Sequence, residues 1–271
     1  MMHCMATAIP TLSLASRTAL GIAGVVAIGA IFVLERRRPL RRQTSNPAPR
    51  IVRNVAMGAM CAAVVATIEM PVTQAIAEQN VRGKRGLAQR APRALRPLVA
   101  FLAMDYGFYL WHVATHRLRP LWRFHRVHHV DPDMDMSTAI RFHMVDMLVS
   151  LPWRMAQVRL SGIDPQALDA WQRFFTLSIL FHHSNLKLPG DWDRRLSWLV
   201  TSPKMHGIHH SVVKAQRDSN WSSGISLWDR LHGTMGQDDT QCNLTIGVDD
   251  PHASRDVRIE HALRTPFRAV G

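Results

Sequence analysis

Uncharged, mostly apolar residues run without interruption from Thr18 to Leu34, and a second such run extends from Asn54 to Ile68. A helix crossing a hydrocarbon core of about 30 Å needs about 20 mostly apolar residues. The first run, extended toward Thr11 with only Arg17 in the way, meets that length. No small-residue cleavage site follows it, and the next residues are Glu35-Arg36-Arg37-Arg38-Pro39, so it reads as a membrane anchor and not as a removed signal. The basic run from Arg36 to Arg42 reads as its cytoplasmic flank. The second apolar segment spans residues 51–77, and Glu69 and Pro71 predict a kinked or interfacial far end. Residues 80–96 are basic and rich in helix breakers, which predicts a linker or surface-lying segment. If 51–77 crosses fully, that linker falls outside, against the positive-inside tendency.

The third apolar segment, Pro97 to Trp111, carries only Asp105 as a charge and runs on into His112 and His116. One helix emerging from the bilayer is predicted. Residues 142–160 and 166–183 are helical in pattern but carry Arg154, Arg159, Asp169 and Arg173. They are poor independent spans and suit a hairpin dipping into the membrane or packed on the other helices. After Asn185 the chain is polar and punctuated by Pro, Gly and Asp. The predicted fold is all-α: an integral membrane helical bundle with a cytosolic, His-rich helical cap.

Composition changes this picture in three ways. Hydrophobic residues make up 47 % of 271, which excludes a disordered chain. Cys4, Cys61 and Cys242 are odd in number and scattered, which excludes a disulfide scaffold and a cysteine zinc site. The net charge of +13 could signal nucleic acid, but no nucleic-acid motif is present. Basic residues flanking apolar segments point to anionic lipid headgroups instead.

The unusual residue is histidine: 15 in all, eleven of them between His112 and His210. His112 and His116 are four apart, one turn on the same helix face. His125, His128 and His129 form an HxxHH group, and His206, His209 and His210 form another. A single zinc site takes three or four ligands, so eight or nine imidazoles match two metals. Imidazole suits Zn, Cu, Fe and Ni, and spacing alone does not choose among them. Ligating His usually give their second N–H to a carboxylate or carbonyl. Asp105, Asp135, Asp146, Asp218 and Asp229 are candidates, with Asp105 foremost because a carboxylate inside an apolar helix is costly.

Several stretches around these clusters resemble a known family. They are Asp105-Tyr106-Gly107-Phe108-Tyr109-Leu110-Trp111-His112, Leu121 to His129, Asp133 to Ala139 with Arg141-Phe142-His143, and Thr201-Ser202-Pro203 before the third cluster. Asp218-Ser219-Asn220-Trp221 and Leu227-Trp228-Asp229-Arg230-Leu231-His232-Gly233-Thr234 follow it. Over about residues 98–235 the chain is similar to the fatty acid hydroxylase superfamily, the membrane di-iron group that includes the sterol desaturases. The resemblance implies a cytosol-facing, all-His site for two Fe ions, with O2 as co-substrate. Its ligands would be His112, His116, His125, His128, His129, His206, His209 and His210, with His183 as a ninth. His182 is read as a neighbour, His143 is left outside the site, and His232 stands where the family often has Phe and is read as a packing residue.

The implied activity is hydroxylation or desaturation of a C–H bond in a lipid such as a fatty acyl, sterol-like or alkylglycerol substrate. No redox domain is fused, so electrons would come from a separate donor. The implied division is 1–97 as membrane anchor, 98–240 as catalytic domain and 241–271 as a C-terminal tail. Two other readings keep the same His: a zinc-dependent membrane hydrolase, for which no HExxH general base is present, and a non-enzymatic metal-binding membrane protein.

Overall fold

The computed structural model describes residues 14–236, 241–250 and 253–268; Cys4 and the start of the first apolar stretch, toward Thr11, lie outside them. Among the described residues the secondary structure is helical, with three isolated β-bridges and no strand. The apolar run at 18–34 forms the middle of α1 (Leu14–Arg37). Its surface is largely uncovered by protein: Val25 and Val26 are 71 % and 64 % exposed. Contiguous apolar exposure of this kind marks a surface that meets lipid or protein.

Helix α2 (Pro47–Val64) begins at Asn46, whose side chain accepts from the Ala48 N–H. It passes through a π-helical turn at Val65–Glu69 into α3 (Met70–Gly83). Pro71 has no N–H to donate to the preceding turn, and the widened turn absorbs that break without ending the helix. The expected kink is therefore a local bulge in a continuous helix about 55 Å long. Among the described residues two helical stretches, Thr18–Arg37 and Pro47–Arg90, are long and apolar enough to cross a membrane.

Helix α4 (Arg96–Arg117) returns along the bundle, about 33 Å from end to end. Pro120 then starts α5 (Arg119–His129) after an extended Leu118, forming a corner between two His-bearing helices. Helices α6 (Met144–Ser161) and α7 (Pro165–His183) follow one another through a three-residue turn, and each packs on α3 and α4. Arg154 is accommodated there by Glu69, 3.3 Å away. The seven-residue helix α8 (Pro203–His209) carries the last cluster and is capped by Ser202, whose Oγ accepts from the Met205 N–H.

The two ends of this bundle differ. Where α3, α4, α6 and α7 meet away from the histidines, the core is apolar: Ile76, Ala77, Ala100, Met104, Val158, Ile163, Leu168 and Trp171. Gly86 and Gly162 touch there through their backbones, both at positive φ (88° and 70°), so neither site has room for a Cβ. At the other end the core is made of imidazoles and ion pairs.

Candidate metal centre

Nine histidines converge in two adjacent groups. His112, His116, His125, His129 and His209 form one, and His128, His183, His206 and His210 the other; within each group the ligand atoms lie within 4.8 Å of one another. The C-terminal end of α4 brings two of these rings, α5 three, the last residue of α7 one, and α8 with the residue after it three. The groups share a wall, because the His129 and His210 rings stack 4.2 Å apart.

The hydrogen bonds define what these rings can do. His112 Nδ1 lies 2.6 Å from the Trp221 carbonyl, His209 Nδ1 2.9 Å from that of Ser219 and His183 Nδ1 2.7 Å from that of Ile179. His128 Nδ1 is 3.3 Å from the Arg141 carbonyl. A carbonyl only accepts, so each Nδ1 carries the proton and each Nε2 is a bare lone pair. Yet the Nε2 atoms of His128 and His183 face each other at 3.0 Å. His183 Nε2 also meets His206 Nε2 at 3.0 Å, and His206 Nε2 meets His210 Nε2 at 3.2 Å. Facing lone pairs repel unless a cation lies between them. A metal–imidazole distance of about 2.1 Å gives nitrogen–nitrogen edges of about 3.0 to 3.4 Å around one ion, which is the spacing found.

Other buried ring nitrogens have no hydrogen-bond partner, among them both of His116, His209 Nε2, and the Nδ1 atoms of His129, His206 and His210. Unpaired buried polar atoms are costly and call for an explanation. The donor set thus fits two cations. Burial first, and the neighbouring imidazoles second, hold His125, His128, His129, His206 and His210 well below the usual imidazole range. At neutral pH they are in the uncharged, ligating form.

His143, His182 and His232 lie outside both groups. His143 caps α6: its Nδ1 accepts from the Val145 N–H and its Nε2 donates to the Leu263 carbonyl, so both nitrogens are used. His182 is fully buried with its ring 4.0 Å from that of His206, and belongs to neither group. His232 packs on Tyr106 and Tyr109 at the surface.

Among the described residues no carboxylate hydrogen-bonds an imidazole of the two groups. Asp105, the foremost candidate, accepts from the Ile225 N–H and the Trp228 indole and touches no histidine. Asp229 accepts from the Trp221 and Ser222 N–H groups and from Thr234. It therefore fixes the loop whose Trp221 carbonyl orients His112. Backbone carbonyls do the orienting, and a carbonyl leaves no trace in a side-chain pattern.

A second group of residues is absent from any reading of the His spacing. Glu35 accepts from the Met136 and Asn185 N–H groups, tying the end of α1 to the segments after the second cluster and after His183. Arg41 is buried and donates to the Pro203 carbonyl (2.6 Å) and to Gln241. It packs so closely on Gly207 of α8 that a Cβ there would meet its guanidinium. Arg50, 2 % exposed, pairs with Asp131 and Asp135. The basic run after α1 was expected to face headgroups; Arg41 instead faces inward, where the Pro203 carbonyl and the Gln241 amide oxygen accept from it.

The arrangement defines a class: an all-helical protein with a buried, two-part imidazole centre at one end of its bundle. The fatty acid hydroxylase family model matches residues 97–234, just over half of the chain, and the chain belongs to that family. Ornithine lipid hydroxylase OlsE of Rhizobium tropici is 27 % identical over 158 residues, covering 58 % of this chain and 46 % of that protein. Alkylglycerol monooxygenase of Xenopus tropicalis is 28 % identical over 138 residues (51 % and 30 %). Human cholesterol 25-hydroxylase is 27 % identical over 141 residues (51 % and 50 %). The chain thus spans about a third to a half of the length of these relatives. No solved structure matches it.

Proposed function

We propose that this protein is a membrane-bound, O2-dependent di-iron oxidoreductase that hydroxylates, or desaturates, a C–H bond of a lipid. The observation that carries the reading is the pair of carbonyl-locked imidazoles, His128 and His183, whose lone pairs face at 3.0 Å. The names of the relatives, all lipid hydroxylases or monooxygenases, support the lipid substrate and the oxidative chemistry.

Two irons held by the nine histidines would supply redox chemistry with O2. In hydroxylation, O2, two electrons from a separate donor and two protons are consumed; one oxygen enters the C–H bond and the other leaves as water. The chain's own residues have three tasks. Carbonyls of Arg141, Ile179, Ser219 and Trp221 hold four rings with Nε2 inward. Burial keeps the rings neutral and water out. Asp229 steadies the Trp221 loop through two backbone N–H groups.

The exposed apolar faces of α1 and the length of α2–α3 support a bundle embedded in a membrane; on this reading the His-rich end faces the cytoplasm, as the basic flank Arg36–Arg42 suggests. On this reading 1–97 is the anchor, 98–240 the catalytic domain and 241–271 a tail. The 35–54 stretch of the anchor and residues 257–263 of the tail reach onto the catalytic domain, the latter through Arg141 and His143.

Metal analysis with oxygen uptake tests the function. Purified protein should contain about two irons per chain and consume O2 when given a lipid and an electron donor. Two zincs and no oxygen uptake would overturn it in favour of a hydrolase or a metal-binding protein.

A further inference from the structure

The end of the bundle far from the histidines carries a feature that the oxidative chemistry does not use. An apolar groove of about 540 Å³ runs between α3 and α6, walled by Val72, Ile76, Met155 and Ala156 and ending at Gln79 and Arg159. A second depression of about 360 Å³, lined by Gln79, Arg82, Gly83 and Arg85, adjoins it through Gln79. One continuous surface therefore passes from apolar to cationic. The apolar volume lies within the range of about 300–1,000 Å³ usual for small-molecule sites.

The charges there are unbalanced. Arg82 is paired with Glu78 at 3.3 Å, both exposed. Arg159 donates to Asn80 and Gln79, which are neutral acceptors, and among the described residues no acid pairs with it or with Arg85. Lys84, in the left-handed conformation that ends α3, turns the chain between Arg82 and Arg85. Around the groove Val81, Leu87 and Leu160 expose 47 %, 56 % and 67 % of their surface. The basic linker, anomalous under the positive-inside tendency, thus sits where an apolar face meets a polar boundary.

We propose that this surface binds an anionic phospholipid, its acyl chain lying along the α3–α6 groove and its phosphate among Arg82, Arg85 and Arg159. Charge complementarity selects the anionic headgroup, and the adjoining apolar groove selects a lipid over a free anion. Met155 lies about 17 Å along α6 from the end of that helix nearest the histidines. The phosphate cluster is therefore separate from the metal centre. The proposal rests on the membrane reading above but not on the identity of the metal.

The test uses the full chain in phosphatidylcholine vesicles containing a small fraction of diazirine-tagged phosphatidylglycerol. Photolabelling is expected on peptides covering 72–85 and 155–159. Excess untagged phosphatidylglycerol should compete, and excess phosphatidylcholine should not. Arg85→Gln and Arg159→Gln should each cut the labelling about fivefold, as expected for one cation at a lipid surface, with metal content unchanged. Equal competition by phosphatidylcholine would overturn the proposal. So would full labelling of Arg85→Gln, whose exposed side chain is not needed for folding, or displacement of the tag by millimolar inorganic phosphate. Release of the protein from vesicles by alkaline carbonate would instead bring down the membrane reading itself, and this site with it.

Discussion

The two ends of the bundle are held together by different physics. The far end is an apolar core in which Leu168, Val158 and Ile163 are fully buried and only a few hydrogen bonds, such as Asn80 to the Val158 and Ile163 carbonyls, stitch the helices. The site end buries nine imidazoles together with Arg41, Arg50, Arg141, Asp131, Asp133 and Asp135. Apolar burial stabilises without direction, whereas buried charge stabilises only while every partner is present. The far end should therefore tolerate change gradually, and the site end should fail one partner at a time.

The largest expected effect is at the centre of the site. His128→Ala removes one of the two facing lone pairs; activity should be lost and iron content should fall, measured by turnover and metal analysis. Full activity in that variant would remove His128 from the centre.

Acidification comes next. The imidazoles of the site titrate well below their ordinary value of 6.5. Below about that pH the unfolded chain binds protons that the folded chain refuses. Metal-free protein should keep its stability above this value and lose it progressively as the pH falls. Denaturant midpoints taken at about pH 7.5 and about pH 5.5 check the sign, and an unchanged midpoint would show that the imidazoles are not buried.

Arg50→Ala leaves Asp131 and Asp135 buried without that cation. It should cost about 3–5 kcal/mol and lower the iron retained per folded chain, because those carboxylates follow the second His cluster. Leu168→Ala at the far end should cost about 2–5 kcal/mol by leaving a cavity, with metal stoichiometry intact below the melting transition. If both variants lose metal equally, the two ends form one cooperative unit and do not differ in how they fail. The smallest effect on turnover is expected for Gly162→Ala, a left-handed position facing the Gly86 backbone. The left-handed strain alone costs about 1–2 kcal/mol, and the overlap of the new Cβ with the Arg85 and Gly86 backbone adds to it, so thermal stability should fall while turnover at low temperature stays unchanged.

Much of this molecule could be read from residue order. The apolar runs at 18–34 and 97–111 became helices α1 and α4, and the His spacing put the ligating faces where two HxxHH turns and one HxxxH turn could meet. The poor span quality of 142–160 and 166–183, given away by Arg154 and Arg159 in the first and Asp169 and Arg173 in the second, was visible too. Less legible were the groups that steady the imidazoles. Asp105 looked like their partner because a carboxylate inside an apolar helix is costly. It turns instead to Trp228 and the Ile225 N–H, which approach from 120 or more residues away along the chain.

Local periodicity, charge and spacing determine which faces are apolar, which residue types can ligate a metal and which family the chain joins, because those properties act within a few turns of helix. Tertiary structure alone decided that nine rings divide into five and four. It also decided that backbone carbonyls set their tautomers, and that Arg41 and Arg50 turn inward instead of toward headgroups. Those outcomes depend on atoms brought within about 3 Å by folding, a range at which hydrogen bonds and lone-pair repulsion act, and no one-dimensional pattern encodes which distant carbonyl will arrive.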